Sequence, residues 1–111
     1  MSVPDPRESS VASLSDMPSG GMTKIVVAGR PILLCRIDDR VYAVDARCPH
    51  RRAPLEDGVL DGPMLACPWH KATFDVRTGS RISSPECPDL RTCSVRVQGD
   101  QVLLTMPAPE E

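Results

Sequence analysis

Two short motifs place both histidines of the chain beside a cysteine. They read Cys48-x-His50 and Cys67-x-x-His70, and 16 residues separate them. Cysteine thiolates and neutral imidazoles are common ligands of zinc and of iron–sulfur centres. The four residues therefore predict one metal site that takes two ligands from each motif, on two proline-containing loops.

The four residues can be interpreted in several ways. In the simplest interpretation the four residues are two buried thiols and two unrelated surface histidines. This interpretation would require both histidines to fall at ligand spacing by accident. Zinc fingers usually keep two cysteines in one arm and two histidines in the other, whereas each arm here has one of each. A cysteine–histidine nucleophile needs an orienting group, and the sequence offers neither that group nor an oxyanion-rich loop. A mixed arm suits a [2Fe–2S] cluster in which two cysteines bind one iron and two histidines bind the other.

A long stretch of the chain resembles a known family. Residues 48–80, CPHRRAPLEDGVLDGPMLACPWHKATFDVRTGS, resemble the Rieske proteins. They are most similar to the small soluble Rieske ferredoxins that feed electrons to bacterial oxygenases. This similarity is dense from residue 22 to about residue 81 and weaker, but continuous, over residues 11–106. The resemblance implies two layered β-sheets, a cluster-binding subdomain at about residues 46–85, and a proline-containing loop near residues 84–89.

The resemblance also implies a cofactor and its ligands. It places one [2Fe–2S] cluster in the chain, with Cys48 and Cys67 on the inner iron. His50 and His70 would bind the outer, solvent-facing iron.

The function implied by the resemblance is electron transfer. Such a ferredoxin takes one electron from a flavin-dependent ferredoxin reductase and passes it to a terminal oxygenase, and we expect a monomer. Catalysis is not expected, because an oxygen-activating iron needs a separate 2-His-1-carboxylate site and both histidines are already assigned. Two alternatives stay open. One is a small Rieske-like subunit of an assimilatory nitrite reductase, against which the intact ligand set argues. The other is a zinc-stabilised module without redox activity.

The residues beside the ligands favour a low reduction potential. High-potential relatives join the two ligand loops by a disulfide and donate hydroxyl hydrogen bonds to the cluster sulfurs. This chain has Ala53 and Trp69 at the disulfide positions, and Ala72 and Phe74 at the hydroxyl positions. Fewer donors stabilise the reduced, more negative cluster less, so we expect a midpoint of roughly −150 mV.

Three basic residues, Arg51, Arg52 and Lys71, follow the histidines. Relatives usually have glycine at the positions of Arg52 and Lys71, so a left-handed backbone there would cost roughly 1–2 kcal/mol. The three charges predict either a solvated surface or a docking patch for an acidic face of a partner.

The other three cysteines are not assigned to the metal site. Cys35 lies in the apolar run PILLC and is predicted to be a buried core thiol. Cys87 and Cys93 flank the proline-containing segment, but a reducing compartment disfavours a disulfide between them. Three carboxylates are predicted to hydrogen-bond nearby backbone in turns: Asp57, Asp61 and Asp75.

Composition defines the kind of domain that must position these residues. A chain of 111 residues forms one small domain with a modest core, which a bound metal centre would stabilise. A formal net charge of −2 without a long basic run gives no indication of nucleic-acid binding. No apolar run is long enough to span a bilayer and the N-terminus shows no secretion signal, so we expect a cytoplasmic, reducing location. Five cysteines there indicate metal or redox chemistry before disulfides.

Short apolar runs separated by turn residues predict an all-β fold. Twelve prolines and seven glycines argue against long helices. The fold class is therefore expected to be a small antiparallel β-sandwich over residues 11–106, with a disordered segment at residues 1–10 and a loose tail at residues 107–111. Five turn signals predict hairpins: Ala28-Gly29-Arg30, Asp38-Asp39, Asp61-Gly62, Thr78-Gly79 and Gly99-Asp100.

Overall fold

The computed structural model of the chain describes residues 8–48, 53–68, 72–83 and 89–105. These residues form ten β-strands and two 3₁₀-helices, so the all-β prediction is confirmed. Neither helix is long and apolar enough to cross a membrane. The 3₁₀-helices are Leu14–Asp16 and Leu55–Asp57. The strands are β1 (Glu8–Ser13), β2 (Met22–Val27), β3 (Arg30–Ile37), β4 (Arg40–Asp45), β5 (Val59–Asp61), β6 (Met64–Ala66), β7 (Thr73–Asp75), β8 (Arg81–Ser83), β9 (Thr92–Gln98) and β10 (Gln101–Thr105).

The larger sheet has six antiparallel strands in the order β1-β10-β9-β4-β3-β2. Strand β9 joins its two halves, because Thr92 and Cys93 pair with β4 whereas residues 94–98 pair with β10. The two halves of the sheet pack against each other, because one buried cluster contains side chains of β3 and β4 from one half and of β10 from the other. Buried side chains from both halves form what we call the base core: Met17, Ile32, Leu34, Val41, Ala43, Val102 and Leu104.

The smaller sheet has four strands in the order β5-β6-β7-β8. It packs against the face of β3 and β4 that points away from the base core. Because successive side chains of a strand alternate between its faces, β3 is buried on both sides. Together with the smaller sheet, β3 and β4 form a second cluster, which we call the site core: Leu33, Cys35, Val44, Ala46, Cys48, Ala53, Leu55, Leu65, Cys67, Ala72, Phe74, Val76 and Leu90.

The predicted turns all join paired strands. They connect β2 to β3, β3 to β4, β5 to β6, β7 to β8 and β9 to β10. In the first of these turns, Ala28 and Gly29 have φ angles of 51° and 78°. Left-handed residues at both positions are typical of the tight turn whose twist matches the strands that it joins. The hairpin predictions are therefore confirmed.

The chain enters the fold earlier than predicted. A disordered segment over residues 1–10 is wrong for its last three residues, because β1 begins at Glu8. Glu8 pairs with Thr105 of β10, and its carboxylate accepts two hydrogen bonds of 2.8 Å from the Arg96 guanidinium on β9. These contacts hold β1 at the edge of the sheet. Its sequence lacks the alternation of apolar and polar residues from which a strand could be predicted. Residues 1–7 and the predicted tail at residues 107–111 lie outside the described residues.

Candidate metal centre

Two loops of equal length begin with the predicted cysteine ligands. Residues 48–53 read CPHRRA and residues 67–72 read CPWHKA, so each loop starts with Cys-Pro and ends with alanine. The Cys48 N–H donates to the Ala53 carbonyl at 2.9 Å, and the Cys67 N–H donates to the Ala72 carbonyl at 2.8 Å. The same backbone hydrogen bond therefore closes both loops, which makes them equivalent arms.

Regular structure fixes the ends of each loop. At the first loop, Arg47 and Pro54 form an isolated β-bridge, and the Leu55 N–H donates to the Ala46 carbonyl at 2.8 Å. The second loop connects β6 to β7, which pair with each other directly beside it at Ala66 and Thr73. The backbone pairing thus determines where each loop leaves and re-enters the fold.

Both predicted cysteine ligands are buried in the same part of the interior. Cys48 is 0% exposed and Cys67 is 2% exposed, and both belong to the site core. The closing alanines, Ala53 and Ala72, are fully buried with them. The structure therefore brings the two cysteines, which are distant in sequence, into one apolar cluster that excludes water.

The site core supplies no hydroxyl at the two positions identified in the sequence. Ala72 and Phe74 are both 0% exposed and belong to the same cluster as the cysteines. Phe74 lies on β7, two residues after the end of the second loop, and pairs with Leu65. This arrangement agrees with the expectation of a low reduction potential, which itself stays a prediction.

The other members of the predicted site lie outside the described residues. They are His50, Arg51, Arg52, Trp69, His70 and Lys71. Since both histidines are among them, the part of the chain that the structure describes contains no group of three or more His, Cys, Asp or Glu side chains suited to a metal ion. Ligation by the histidines stays a prediction.

The described residues fit a [2Fe–2S] cluster. Cys48 and Cys67 come from equivalent arms and share one apolar cluster, as two thiolate ligands of a single iron must. Each arm also contains one histidine, which provides one imidazole per arm for a second iron. Such a cluster, when bound, accepts and releases a single electron. The arms would hold such a cluster through these side chains, and the site core would keep water away from its cysteine side.

The remaining described cysteines have no place in this ligand set. Cys35 is fully buried on β3, and burial raises the pKa of its thiol to about 12. A thiol with that pKa stays protonated, so the prediction of a core thiol is confirmed. Cys93 is a half-buried free thiol, and burial raises its pKa as well. Cys87, the other half of the disfavoured disulfide, lies outside the described residues.

One buried charge follows the second arm and was not identified as an ion pair in the sequence. Asp75 is 8% exposed, and its carboxylate accepts hydrogen bonds of 3.0 and 2.7 Å from the Arg77 guanidinium. It also accepts a bond of 2.9 Å from the Arg77 N–H, which agrees with the predicted turn role. The side-chain hydrogen bonds from Arg77 lower the pKa of Asp75. In the sequence, the only indication of this ion pair is that Asp75 and Arg77 stand two residues apart, directly before the predicted turn at Thr78-Gly79.

Two glycines allow close backbone contacts around the site. A Cβ atom at Gly58 would lie 2.1 Å from the carbonyl oxygen of Ala66, the residue before Cys67. A Cβ atom at Gly79 would lie 2.1 Å from the carbonyl oxygen of Leu90. The Leu90 N–H donates to the Gly79 carbonyl at 2.7 Å, which ties the β7–β8 turn to the start of β9. Both contacts need a residue without a side chain.

The chain resembles known proteins in sequence and in structure. Residues 8–94 match the Rieske [2Fe-2S] domain. The chain belongs to this family. The family and the Rieske fold implied by the resemblance are thereby confirmed, and the domain match begins at the same residue as β1.

Several relatives are ferredoxins of about the same length. The ferredoxin component of the naphthalene 1,2-dioxygenase/salicylate 5-hydroxylase systems of Ralstonia sp. is 36% identical over 95 residues, covering 86% of this chain and 91% of that protein. The biphenyl 2,3-dioxygenase ferredoxin component of Rhodococcus jostii (strain RHA1) is 33% identical over 96 residues, covering 86% and 90%. A chain in the solved complex of reduced oxygenase and oxidised ferredoxin in carbazole 1,9a-dioxygenase matches with a TM-score of 0.86 and 31% identity, covering 96% of this chain and 100% of that chain.

The family and its members settle the cofactor and the broad role. This Rieske protein has one [2Fe–2S] cluster and is an electron carrier, not a catalytic component. The predictions of the cofactor and of a non-enzymatic role are confirmed. The zinc-stabilised alternative has no support among these relatives.

Proposed function

We propose that the chain carries single electrons from a flavin-dependent reductase to the terminal oxygenase of a dioxygenase system, as a monomer in the cytoplasm. The main support is the pair of equivalent arms that place Cys48 and Cys67 in one buried cluster. The names of the relatives support the choice of partner, because two are ferredoxin components of dioxygenase systems and a third comes from a complex with an oxygenase.

The proposed ligands are Cys48 and Cys67 as thiolates, and His50 and His70 as neutral imidazoles. With this set the oxidised centre has a charge of about zero, and one added electron makes it about −1, whereas four cysteines would make the same step about −2 to −3. The smaller charge is easier to accommodate in a low-dielectric interior. Such ligands therefore give potentials of roughly −150 to +300 mV, against about −400 mV for plant-type ferredoxins.

The electron is proposed to leave through the histidine side of the centre. Both cysteines are buried in the site core and are therefore not available to a partner, which supports an exit on the histidine side. His50 and His70 are accordingly proposed to form the exposed tip.

Three basic residues in the arms are proposed to steer a partner towards that tip. Arg51, Arg52 and Lys71 follow the histidines within two residues, so their charges should lie within about one Debye length, roughly 8 Å, of the tip. Removing these three charges from the formal −2 leaves −5 for the rest of the chain. Such a polarised molecule is oriented by an acidic surface during encounter, and the effect acts on the association rate.

The proposal is tested first by composition and electron transfer. The freshly isolated anaerobic protein should contain about two irons and two acid-labile sulfides per chain. The reduced protein is then mixed in a stopped-flow instrument with the oxygenases of naphthalene, biphenyl and carbazole dioxygenase systems. Oxidation by at least one of them, at rates that rise with oxygenase concentration, is expected. Stoichiometric zinc without iron, or transfer to none of the three, would contradict the proposal.

The basic residues have a separate test. Arg51→Glu, Arg52→Glu and Lys71→Glu combined should slow transfer at least tenfold at low salt and little at high salt, because salt screens steering. If wild type and variant have equal rates and equal salt dependence, with intact cluster content, the three charges are only solvated surface.

A further inference from the structure

Three large apolar side chains are exposed among the described residues. Val26 and Val59 are each 66% exposed, and Ile82 is 55% exposed. Isolated exposed apolar residues are common on protein surfaces and need no explanation by themselves. These three differ from isolated exposed residues because each lies on a strand close to one of the two arms.

Val59 lies in the row of the smaller sheet next to the second arm. It pairs with Ala66, which pairs with Thr73. These two residues directly flank the arm, since one precedes Cys67 and the other follows Ala72. Paired residues of a sheet point to the same face, and the next row, which contains Leu65 and Phe74, points into the site core. Val59 therefore points outward at the base of the second arm.

Ile82 lies at the opposite edge of the smaller sheet, on β8, next to the residue that ends the row of Val59. Thr73 pairs with Ser83 and Phe74 pairs with Arg81, so Ile82 is the extra residue of a β-bulge. A bulge bends its strand and redirects a side chain, and bulges are frequent beside functional sites. Three strand spacings separate β5 from β8, which puts Val59 and Ile82 about 14 Å apart on either side of the second arm.

Val26 lies beside the first arm. It pairs with Pro31, whose carbonyl accepts a hydrogen bond of 3.1 Å from the Ala46 N–H, two residues before Cys48. Its strand β2 also contacts the segment after the first arm, because the Lys24 ammonium lies 3.2 Å from the Glu56 carboxylate. Val26 thus lies near the start of the first arm, while Val59 and Ile82 lie on either side of the strands that flank the second arm.

We propose that Val26, Val59 and Ile82 form an apolar collar that binds the terminal oxygenase around the two arms. The proposal rests on the function proposed above, since it needs the arms to be the site of electron exit. The partner surface that fits is a recess that admits the arms, with apolar side chains at its rim. The oxygenase is the occupant because the collar residues lie beside the described ends of the arms, and because a structurally similar ferredoxin chain is found in a complex with an oxygenase.

The collar and the basic residues have different consequences for the kinetics. Charges act at a distance and change the association rate in a salt-dependent manner. Apolar contacts form only after encounter, so they mainly change the dissociation rate and are insensitive to moderate salt. Three isolated contacts also suit a carrier, because a small interface permits rapid release.

The test replaces collar residues by threonine, which keeps the branched shape and strand preference but adds a hydroxyl. Val26→Thr, Val59→Thr and Ile82→Thr are compared with Gln98→Thr, an exposed position at the far end of β9. The probe is whichever of the three oxygenases the wild-type protein reduces fastest. Each collar variant should raise Kd about threefold through faster dissociation, and the triple variant about thirtyfold. Both effects should persist at high salt, while Gln98→Thr stays within measurement error.

Cluster content, electron paramagnetic resonance (EPR) spectrum and midpoint of the variants report whether the centre is intact. If wild type transfers electrons and the triple variant binds the oxygenase as tightly, the collar is wrong and the proposed function stands. If wild type transfers to none of the three oxygenases, the proposed function itself fails. A loss confined to electron uptake from the reductase, or the loss of a wild-type dimer in sedimentation velocity, would assign these residues to another partner and overturn the inference.

Discussion

The contact between Gly58 and the second arm gives a quantitative prediction for Gly58→Ala. Gly58 has a φ of −83°, which any residue adopts, so the substitution has no backbone cost of its own. The added Cβ would lie 2.1 Å from the Ala66 carbonyl oxygen, about 1 Å inside the closest approach that real structures allow. Relief requires β6 to move just before Cys67. Overpacking of this kind costs about 1–3 kcal/mol, and about 2 kcal/mol should lower the apparent Tm by about 8 °C.

The matched control for this substitution is Gly99→Ala. Gly99 has a φ of 62° and open space around its Cα, so alanine there meets the left-handed backbone cost without a contact. That cost is about 1 kcal/mol, or about 4 °C. Both variants are heated at one scan rate with far-ultraviolet circular dichroism and visible absorbance as probes. We expect Gly58→Ala alone to change the EPR spectrum of the reduced centre. A Gly58→Ala protein that is at least as stable as the control, with a wild-type spectrum, would refute the close approach.

Three further predictions concern single side chains. Asp75→Asn should cost about 1–2 kcal/mol at neutral pH, because it weakens charge-assisted bonds to Arg77. Because the pKa of Asp75 is lowered in the folded protein, its stabilising effect is complete above the ordinary carboxyl pKa near 3.8 and is lost as pH falls through the pKa of the folded state. The denaturation curves of wild type and Asp75→Asn should therefore converge in acid. Cys35→Ala should leave iron and sulfide content unchanged on analysis, whereas an iron loss would contradict its role as a core thiol. Ala72→Ser and Phe74→Tyr should each raise the midpoint in a redox titration by roughly 40 mV, the equivalent of one hydrogen bond of about 1 kcal/mol, and no rise in either would argue against the hydroxyl interpretation.

The parts of the fold that the sequence predicts are those with local causes. Turn residues such as Ala28-Gly29 and Gly99-Asp100 determine their hairpins within four residues, and these predictions hold. Cys35 was recognised as a core residue because its neighbours are apolar. The spacing of Cys48 and Cys67 predicts that they share a metal, and the structure adds that both are buried in one cluster, while their role as ligands stays a prediction.

Other features depend on partners that are distant in the chain. Strand β1 is held by β10 and by Arg96, 88 residues after Glu8, so residues 8–10 give no local signal of a strand. Gly58 has an ordinary backbone conformation, and the reason for glycine there is the Ala66 carbonyl on another strand. The bulge that exposes Ile82 likewise exists only in the pairing of β7 with β8.

The division of the interior into two cores has a consequence for how the protein responds to loss of its cofactor. Neither proposed ligand cysteine belongs to the base core, whereas both Cys48 and Cys67 belong to the site core. Because metal binding is coupled to folding at the residues that hold the metal, we expect removal of iron and sulfide to loosen the site core more than the base core.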